Sequence, residues 1–461
     1  MADGFSLPGA AAPAEVTEAD RAAIAAAIDT DELVELALTL GNIPSPAGHE
    51  AAAAQFVHDW LAREGFSPRK VGATPERPNV IGTYGGKGFG RSLLFTAHLD
   101  TESPTWNPDL DAYKFRPETI ANPEWEKCWL EDGVLYGYPI ANDRGPMSCF
   151  LMAAKALKKA GYDLSGRLYL TASPGEIGPE PIEEARGIAY MGKDIGAHYL
   201  FHHGGVAPDY VIAAEGCDFG LTWVGCGYAV FRIRVHGASV FTPLLDHPES
   251  VADHPNPIYR IGGLLEALNT WGREYEVRHR YESPGGTAIP KVQVAAIRGG
   301  VPYSFGAGTE ICCLYLETGL SPQQTVSQVQ HELERLVRSV GVGEVDVEPV
   351  VARHGFEADA HAVAPLVGAV DAATRLSLGH PVERAHSVYS SMWRDHNVFN
   401  MQRIPAITTG FKRWRPAPKD LADSALIYAL TALAVCGRAD STDAATRAAP
   451  VYGDNPFGKD A

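Results

Sequence analysis

The sequence has few of the features that mark a secreted, disulfide-linked or membrane-spanning protein. Its seven cysteines are scattered and form no C-x-x-C pair, which indicates reduced thiols in a cytoplasmic protein. No run of about 18 apolar residues occurs, so no membrane span is predicted. The opening stretch MADGFSLPGAAAPAEVTEAD lacks the basic region and the apolar run of a secretory signal. We therefore expect a cytoplasmic location.

The chain also lacks an excess of positive charge. It has 39 Lys and Arg against 56 Asp and Glu, a formal net charge of -17. Because nucleic-acid binding needs a basic surface to neutralise phosphates, this balance argues against a nucleic-acid partner. The hydrophobic share of 45% and the charged share of 21% are ordinary for a globular enzyme. A length of 461 residues predicts about two domains.

Residues 20–218 alternate between strand and helix patterns. Short apolar runs such as RSLLFTAHLD, GRLYLTASPGE and DYVIAAEG indicate strands, and RGPMSCFLMAAKALKKAGYD has helical spacing. The same alternation of strand and helix patterns returns over 353–437. This alternation predicts an α/β domain, with a mostly parallel sheet flanked by helices. In such sheets, ligands bind beyond the carboxyl ends of the strands.

The pattern changes between residues 219 and 352. GLTWVGCGYAVFRIRVHGAS is long and alternating, which is typical of an antiparallel strand, and further strands and helical stretches follow it. We predict that 219–352 is an α+β domain inserted into the α/β domain. Residues 1–19 are expected to be a flexible arm and 438–461 a loose tail.

Polar side chains stand at the predicted ends of successive strands. His98 and Asp100 share one strand end, Glu176 and Glu215 end two others, and Asp143 lies at a helix entrance. Residues two apart on a strand point to the same face, so Asp100 or the loop beyond it can hold one imidazole nitrogen of His98. One imidazole and three carboxylates are suitable ligands for Zn²⁺ or Mn²⁺. The pattern predicts a metal site.

The chain resembles the M20 family of metallopeptidases and deacylases over roughly residues 30–435. The family motifs occur in order as GNIPSPAGHE, PNVIGTYGG, FTAHLDT, NDRG, GEIG, VIAAEG and RIPAITTGF. This family includes carboxypeptidase G-like enzymes, acetylornithine deacetylase and succinyl-diaminopimelate desuccinylase. The resemblance implies a metal-binding catalytic domain interrupted by a lid or dimerisation domain, and a homodimer or higher homo-oligomer.

The resemblance also assigns roles. Family members usually hold two metal ions. Carried over by position, His98, Asp143 and Glu215 form the first metal site and Glu176 is a ligand of the second. Asp143 bridges the two ions, and Asp100 orients His98.

Three departures from the family pattern are visible. The family's general base precedes the metal-binding Glu, and here that position is Gly175. A metal-binding His is expected after PAITTG, but FKRWRPAPKDL has none, and its Lys412, Arg413 and Arg415 would repel a second cation. For the first of these departures, at Gly175, loss of a general base typically lowers the rate by about 10²–10⁴.

The third departure lies in the inserted domain. The family has a His near GASVFTP, where Val240 and Phe241 stand here, and His236 is out of register. Because the first site is intact, we interpret these losses together as a one-metal site. Glu176, released from a second ion, becomes the proton carrier, and the second ion's place becomes a cationic, substrate-binding surface.

These residues predict a metal-dependent hydrolase of an amide or N-acyl C–N bond in a small carboxylated molecule. One alternative is a hydrolytic deaminase that displaces an amine from an activated aromatic ring. Its support is the tryptophan-rich insertion 101–140, which is equally suited to an oligomer contact. Another alternative is an inactive binding protein on the same fold, suggested by Gly175. Both alternatives are open to tests of metal content and product release.

Some residues are weaker candidates. Arg298, His386 and Arg394 are candidates for binding the substrate, with ordinary loop or surface roles as the competing interpretation. His202 and His203, in FHHGG, are near Glu215 in sequence and are weak candidates for the metal.

Overall fold

The computed structural model describes residues 13–102, 113–183, 185–303 and 305–439. These residues form two compact units. The first contains the described residues up to Leu221, then Ala358–Ala385 and those from Val398 onward; the second contains Thr222–Glu357 and His386–Asn397. The predicted boundaries at 219 and 352 and the proposed terminal arms stay predictions.

The first unit is built on a sheet of eight strands. Across the sheet, the strands run in the order Arg69–Gly72, Pro78–Gly85, Arg167–Ser173, Leu93–His98, Tyr210–Ala214, Ala406–Thr409, Gly220–Thr222 and Glu383–Arg384. The four strands from Arg167–Ser173 to Ala406–Thr409 are parallel, and the first two pairs are antiparallel. The predicted α/β fold with a mostly parallel sheet is confirmed.

The central strands are apolar because the sheet is covered on both sides. All six residues of Leu93–His98 are buried, as expected for a parallel strand with no solvent-facing side. Phe95 in this strand stacks on Phe150 at 5.6 Å between ring centroids and contacts Tyr428 at 5.1 Å. These aromatic contacts attach the strand that carries His98 to two interior helices.

Helices surround this sheet. Those of the first unit are Glu18–Ala27, Thr30–Gly41, Ala51–Glu64, Pro117–Ile120, Gly145–Lys159, Ala197–His203, Ala360–Leu378 and Pro418–Cys436. The insertion after His98 also contains a small hairpin, Trp129–Glu131 with Val134–Tyr136, which the sequence patterns did not predict. Within the described part of the chain, no helix is long and apolar enough to cross a membrane.

The second unit has an antiparallel sheet. Its strands lie in the order Val292–Gly299, Ile311–Leu320, Gly227–His236 and Val345–Arg353. Two long helices, Pro257–Arg278 and Val326–Val340, contribute to the same apolar core. The shorter elements are Val224–Gly225, Tyr281–Ser283, Gly286–Ala288, Phe356–Glu357, Ser387–Ser390 and, continuing into the first unit, His396–Met401.

Candidate active site

His98 ends the strand Leu93–His98 and is only 1% exposed. Its Nδ1 lies 2.8 Å from the backbone carbonyl oxygen of Asp100. A carbonyl can only accept a hydrogen bond, so Nδ1 carries the proton of that bond. In the neutral ring, Nε2 is then left with a lone pair, which is the form in which histidine binds a metal.

Asp100 joins the strand end to the loop that carries Glu176. One of its carboxylate oxygens accepts a hydrogen bond from the amide of Glu176 at 2.9 Å, and the other accepts one from the amide of Ile177 at 2.7 Å. The carboxylate also lies 3.6 Å from Nδ1 of His98. The contact that fixes the imidazole is made by the Asp100 carbonyl, and the predicted orienting role of this residue stays a prediction.

Two carboxylates face Nε2 of His98. Oδ2 of Asp143 lies 3.8 Å away and Oε2 of Glu176 lies 3.9 Å away. Among the described residues, this nitrogen has no hydrogen-bond partner. Burial alone would lower the pKa of His98, but the surrounding carboxylates, Asp143 foremost, outweigh burial and raise it. The imidazole is therefore in a site that favours positive charge.

The spacing of these atoms is suited to a shared cation. Two ligands at about 2.1 Å from one Zn²⁺ lie about 3.4 Å apart in a tetrahedral site and at most about 4.2 Å apart. The separations of 3.8 and 3.9 Å fall inside this range. In the described part of the chain, however, no group of three or more His, Cys, Asp or Glu side chains already forms a site that could hold an ion. The fit is thus that of a partly assembled site.

Asp143 lies in the irregular turn Ile140–Arg144, directly before the helix Gly145–Lys159. Asn142 and Asp143 both leave helical backbone angles there. The buried guanidinium of Arg144 donates hydrogen bonds to the backbone carbonyls of His98, at 3.3 Å, and Leu99. This contact holds the turn with Asp143 against the strand end with His98.

Glu215 follows the strand Tyr210–Ala214, which pairs with Leu93–His98. It is 2% exposed. Its Oε2 lies 3.9 Å from Nη1 of Arg413, which is itself mostly buried. Glu215 therefore faces a protein cation with one oxygen, and its place in the metal set stays a prediction.

Lys193 is a buried residue of the site that the sequence reasoning missed. Its Nζ lies 3.7 Å from Oε1 of Glu176, and the two side chains are 5% and 9% exposed. Lys193 begins a single turn of 3-10 helix, Lys193–Ile195, in a long connection between strands. No periodicity or motif marks such a position, so the sequence carried no signal for it.

The chain resembles known enzymes in sequence and solved structures in fold. No family model matches the chain. Among curated proteins, it is 24% identical over 331 residues to the N-formyl-4-amino-5-aminomethyl-2-methylpyrimidine deformylase of Bacillus subtilis, covering 68% of this chain and 69% of that protein. It is 29% identical over 160 residues to a succinyl-diaminopimelate desuccinylase of Methylobacterium radiotolerans, covering 32% of this chain and 36% of that protein.

Solved structures match almost end to end. Human carnosine dipeptidase 1 has a TM-score of 0.60 at 15% identity and covers 90% of this chain and 99% of its own. A dinuclear metal binding peptidase of the M20 family from Bacillus subtilis has a TM-score of 0.58 at 13% identity and covers 88% and 98%. The chain therefore has the fold of the M20 family peptidases.

Gly175 stands where the M20 resemblance implies a general base, and its backbone explains why no side chain is present. Its φ is +75°, in the left-handed region that favours glycine. A Cβ there would lie 2.9 Å from the carbonyl oxygen of Gly192. The turn that carries Lys193 therefore fills the space that a side chain at 175 would need.

The M20-type segment after strand Ala406–Thr409 contains Arg413 and Arg415 in place of a histidine. Arg413 contacts Glu215, and its Nη2 donates to Oδ1 of Asn142 at 3.4 Å. Arg415 pairs with Glu124 at 2.7 Å and lies over the ring of Tyr136 at 4.1 Å. Both guanidinium groups are thus engaged with groups of the protein itself.

The weaker candidates are placed as follows. Arg298 is exposed on the strand Val292–Gly299 of the second unit. In the same unit, His386 is exposed and accepts from the amide of Val388 at 3.2 Å, and Arg394 is 3% exposed. Their substrate-binding roles stay predictions.

In the first unit, His202 and His203 end the helix Ala197–His203. Their proposed contact with the metal also stays a prediction. Part of the tryptophan-rich insertion, including Trp106, lies outside the described residues.

Proposed function

We propose that the protein hydrolyses an amide or N-acyl C–N bond of a small carboxylated molecule, using one divalent ion, Zn²⁺ or Mn²⁺. The ion would be held by His98, Asp143 and Glu176, with Glu215 completing the set. One observation carries this proposal. Nε2 of His98 faces two carboxylate oxygens at 3.8 and 3.9 Å, while Nδ1 is already used by a backbone carbonyl.

The chemistry divides between ion and protein. When bound, a divalent ion supplies Lewis acidity, which polarises a carbonyl and lowers the pKa of water towards neutrality. His98 and Asp143 position it. Glu176 is the proposed proton carrier to the leaving nitrogen, because its Oε2 lies beside His98 and Gly175 has no side chain for this task. Asp100 holds the loop of Glu176 in place through the two amides that it accepts.

The relatives support the type of bond. The curated relatives include a deformylase and desuccinylases, which are named for removing a formyl or a succinyl group, and a [LysW]-lysine hydrolase. The match to the last of these is 26% over 208 residues. We therefore propose an N-acyl compound with a small acyl group as the substrate class.

A second candidate is a hydrolytic deaminase of an activated aromatic ring. Two aromatic side chains of the insertion, Trp125 and Tyr138, form a cluster with Trp414, which directly follows Arg413 in the sequence. Trp125 lies 4.3 Å from Tyr138, and Tyr138 meets Trp414 edge-on at 5.7 Å. Trp414 is 51% exposed. Such a surface can stack against a planar ring.

A product-release assay tests both candidates. The purified protein, loaded with Zn²⁺ or Mn²⁺, is incubated with N-formyl, N-acetyl and N-succinyl derivatives of amino acids and aminopyrimidines, and with amino-substituted aromatic acids. Release of free carboxylate supports the first candidate, and release of ammonia supports the second. A protein that binds no metal and releases neither would be an inactive binding protein on the M20 fold.

Other expectations extend this proposal. We propose a small-molecule substrate, no nucleic-acid or membrane partner, a homodimer or higher homo-oligomer, and a cytoplasmic location. Light scattering of the purified protein measures the oligomeric state directly.

A further inference from the structure

We propose that Lys193 and Arg413 are built-in cations that stand at Glu176 and Glu215 in place of a second metal ion and limit the site to one ion. This inference rests on the proposed metal site. It concerns side chains that contact proposed metal ligands, and it explains how the fold of a dinuclear peptidase can hold a mononuclear centre.

Glu176 divides its two oxygens between two neighbours. Oε2 faces Nε2 of His98 at 3.9 Å, and Oε1 faces Nζ of Lys193 at 3.7 Å. A second ion would need the oxygen that Lys193 already approaches. The ammonium therefore supplies positive charge on the side of the carboxylate that is turned away from His98.

Glu215 is in a comparable position. Its Oε2 lies 3.9 Å from Nη1 of Arg413, and the side chains are 3% and 13% exposed. The backbone amide of Arg413 donates to Asp218 at 2.9 Å, and Nη2 donates to Asn142, the neighbour of Asp143, at 3.4 Å. The guanidinium is thus held where the segment that follows strand Ala406–Thr409 passes the site.

The close approach of Arg413 depends on Gly216. A Cβ at this glycine would lie 2.9 Å from Cα of Arg413. Only a residue without a side chain lets the two backbone segments come this near. The chain therefore makes room for the guanidinium directly beside Glu215.

The position of Lys193 is fixed from both sides by buried polar groups. On one side, Arg77 donates to the carbonyl of Met191 at 2.5 Å. On the other, the amide of Asn79 donates to the carbonyl of Ile195 at 3.0 Å. Arg77 and Asn79 are 1% and 0% exposed. The segment from Met191 to Ile195 is thus anchored at both ends and holds Lys193 beside Glu176.

One turn of the backbone accounts both for the missing side chain at Gly175 and for the position of Lys193 beside Glu176. The turn from Gly192 to Gly196 occupies the space above Gly175, and this same turn presents Lys193 to Glu176. A side chain at 175 and an ammonium at Glu176 cannot both be accommodated by this backbone. A base beside the metal has therefore been replaced by a fixed positive charge.

Charge arithmetic explains the limit of one ion. The three proposed carboxylate ligands and the two cations leave a charge of -1 in the site. One divalent ion changes this charge to +1, and a second would change it to +3. Like charges about 4 Å apart in a buried site repel strongly. A second ion is therefore excluded by the charge of the two protein cations.

The test is a titration of the full-length metal-free protein with Mn²⁺ or Zn²⁺, followed by calorimetry and by elemental analysis after gel filtration. The wild type is expected to bind one ion per chain. In the double variant Lys193→Met, Arg413→Met, the charge with two ions equals that of the wild type with one, so a second equivalent is expected to bind. Each single variant is expected to bind the first ion at least about tenfold more tightly.

Controls separate charge from shape. Lys193→Arg keeps the cation and is expected to bind one ion. Lys155→Met removes a lysine that pairs with Glu32 and Glu64 in the first unit and is expected to leave the stoichiometry unchanged. Thermal unfolding followed by circular dichroism identifies variants that fail to fold. If they fail, the wild-type titration decides, because two ions per wild-type chain would overturn the inference.

Failure of this inference is distinct from failure of the proposed function. Two ions in the wild type, or one ion in a folded double variant at saturating Mn²⁺, would overturn the role of the two cations and leave the hydrolase proposal standing. No ion in the wild type, or unchanged binding in His98→Ala, would remove the metal site itself.

Discussion

His98 and His396 are both completely buried, but their surroundings have opposite charge. His98 is surrounded by carboxylates, and its pKa is raised despite burial. His396, in the second unit, has its pKa lowered to about 3 by burial and by the charge of Arg394. Burial alone therefore does not make a histidine a candidate metal ligand. The charge of the neighbours decides whether the imidazole sits in a site for cations.

The largest expected effect is on metal binding. His98→Ala removes the nitrogen that faces Asp143 and Glu176, and metal affinity is expected to fall by more than about 100-fold, since changes even outside the direct ligands cost about 10–100-fold. His396→Ala is the matched control and is expected to keep its metal. Elemental analysis of both proteins measures the difference. Equal metal content in the two variants would contradict the proposal that His98 is a metal ligand and His396 is not.

The next effect is on turnover. Glu176→Gln keeps an oxygen towards His98 but removes the proton carrier, so kcat is expected to fall by about 10²–10⁴ with the metal retained. Glu180→Gln, in the same loop, is the control and is expected to keep kcat. Several-fold loss of metal with activity intact would show that Glu176 acts only as a ligand.

The pH dependence of stability is expected to have opposite signs for the two histidines. His396 titrates at about 3 in the folded protein and at about 6.5 when unfolded, so the stability it contributes above pH 6.5 is lost as the pH falls. The raised pKa of His98 gives the reverse: its contribution is present below about pH 6.5 and is lost as the pH rises through the folded value.

Urea unfolding of the metal-free protein at pH 7 and pH 5 measures these contributions. The stability cost of His396→Gln is expected to shrink by about 2 kcal/mol between pH 7 and pH 5. The cost of His98→Gln is expected to grow over the same interval. If the stability costs of the two variants changed in the same direction between pH 7 and pH 5, the opposite charge around His98 and His396 would be contradicted.

The smallest effect concerns the backbone that brings Glu176 to His98. Gly175→Ala is expected to lower the free energy of unfolding by about 1–3 kcal/mol, because φ is +75° and the Cβ meets Gly192. Gly187→Ala is a matched control, since its φ is +87° but nothing lies within 4 Å of its Cβ. An equal loss of unfolding free energy in both variants would mean that the turn beside Gly175 moves to accommodate the added Cβ at little cost.

The sequence was sufficient for the fold class and for placing the proposed ligands His98, Glu176 and Glu215 at or just beyond strand ends. Fully apolar runs such as the one before His98 indicate strands buried on both faces, and the carboxyl ends of parallel strands meet at one edge of the sheet. This reasoning predicted that His98, Asp143 and Glu176 would be close together. Their roles in metal binding stay predictions.

Lys193 and the crowding at Gly175 could not be predicted in the same way. Lys193 lies in an irregular connection, and its position depends on Arg77 and Asn79, which are distant in the chain. At Gly175 the sequence shows only a missing acid. The physical reason, a left-handed backbone under a second turn, exists only once the loops are folded together.

The two amide hydrogen bonds accepted by Asp100 have a consequence for handling the protein. They connect the strand of His98 to the loop of Glu176 without help from any ion. A chelator is therefore expected to remove the ion while these two bonds still hold the loop of Glu176 beside the strand of His98, so that a different divalent ion can then be added. Spectroscopic substitutes such as Co²⁺ would then report on the native arrangement of this centre.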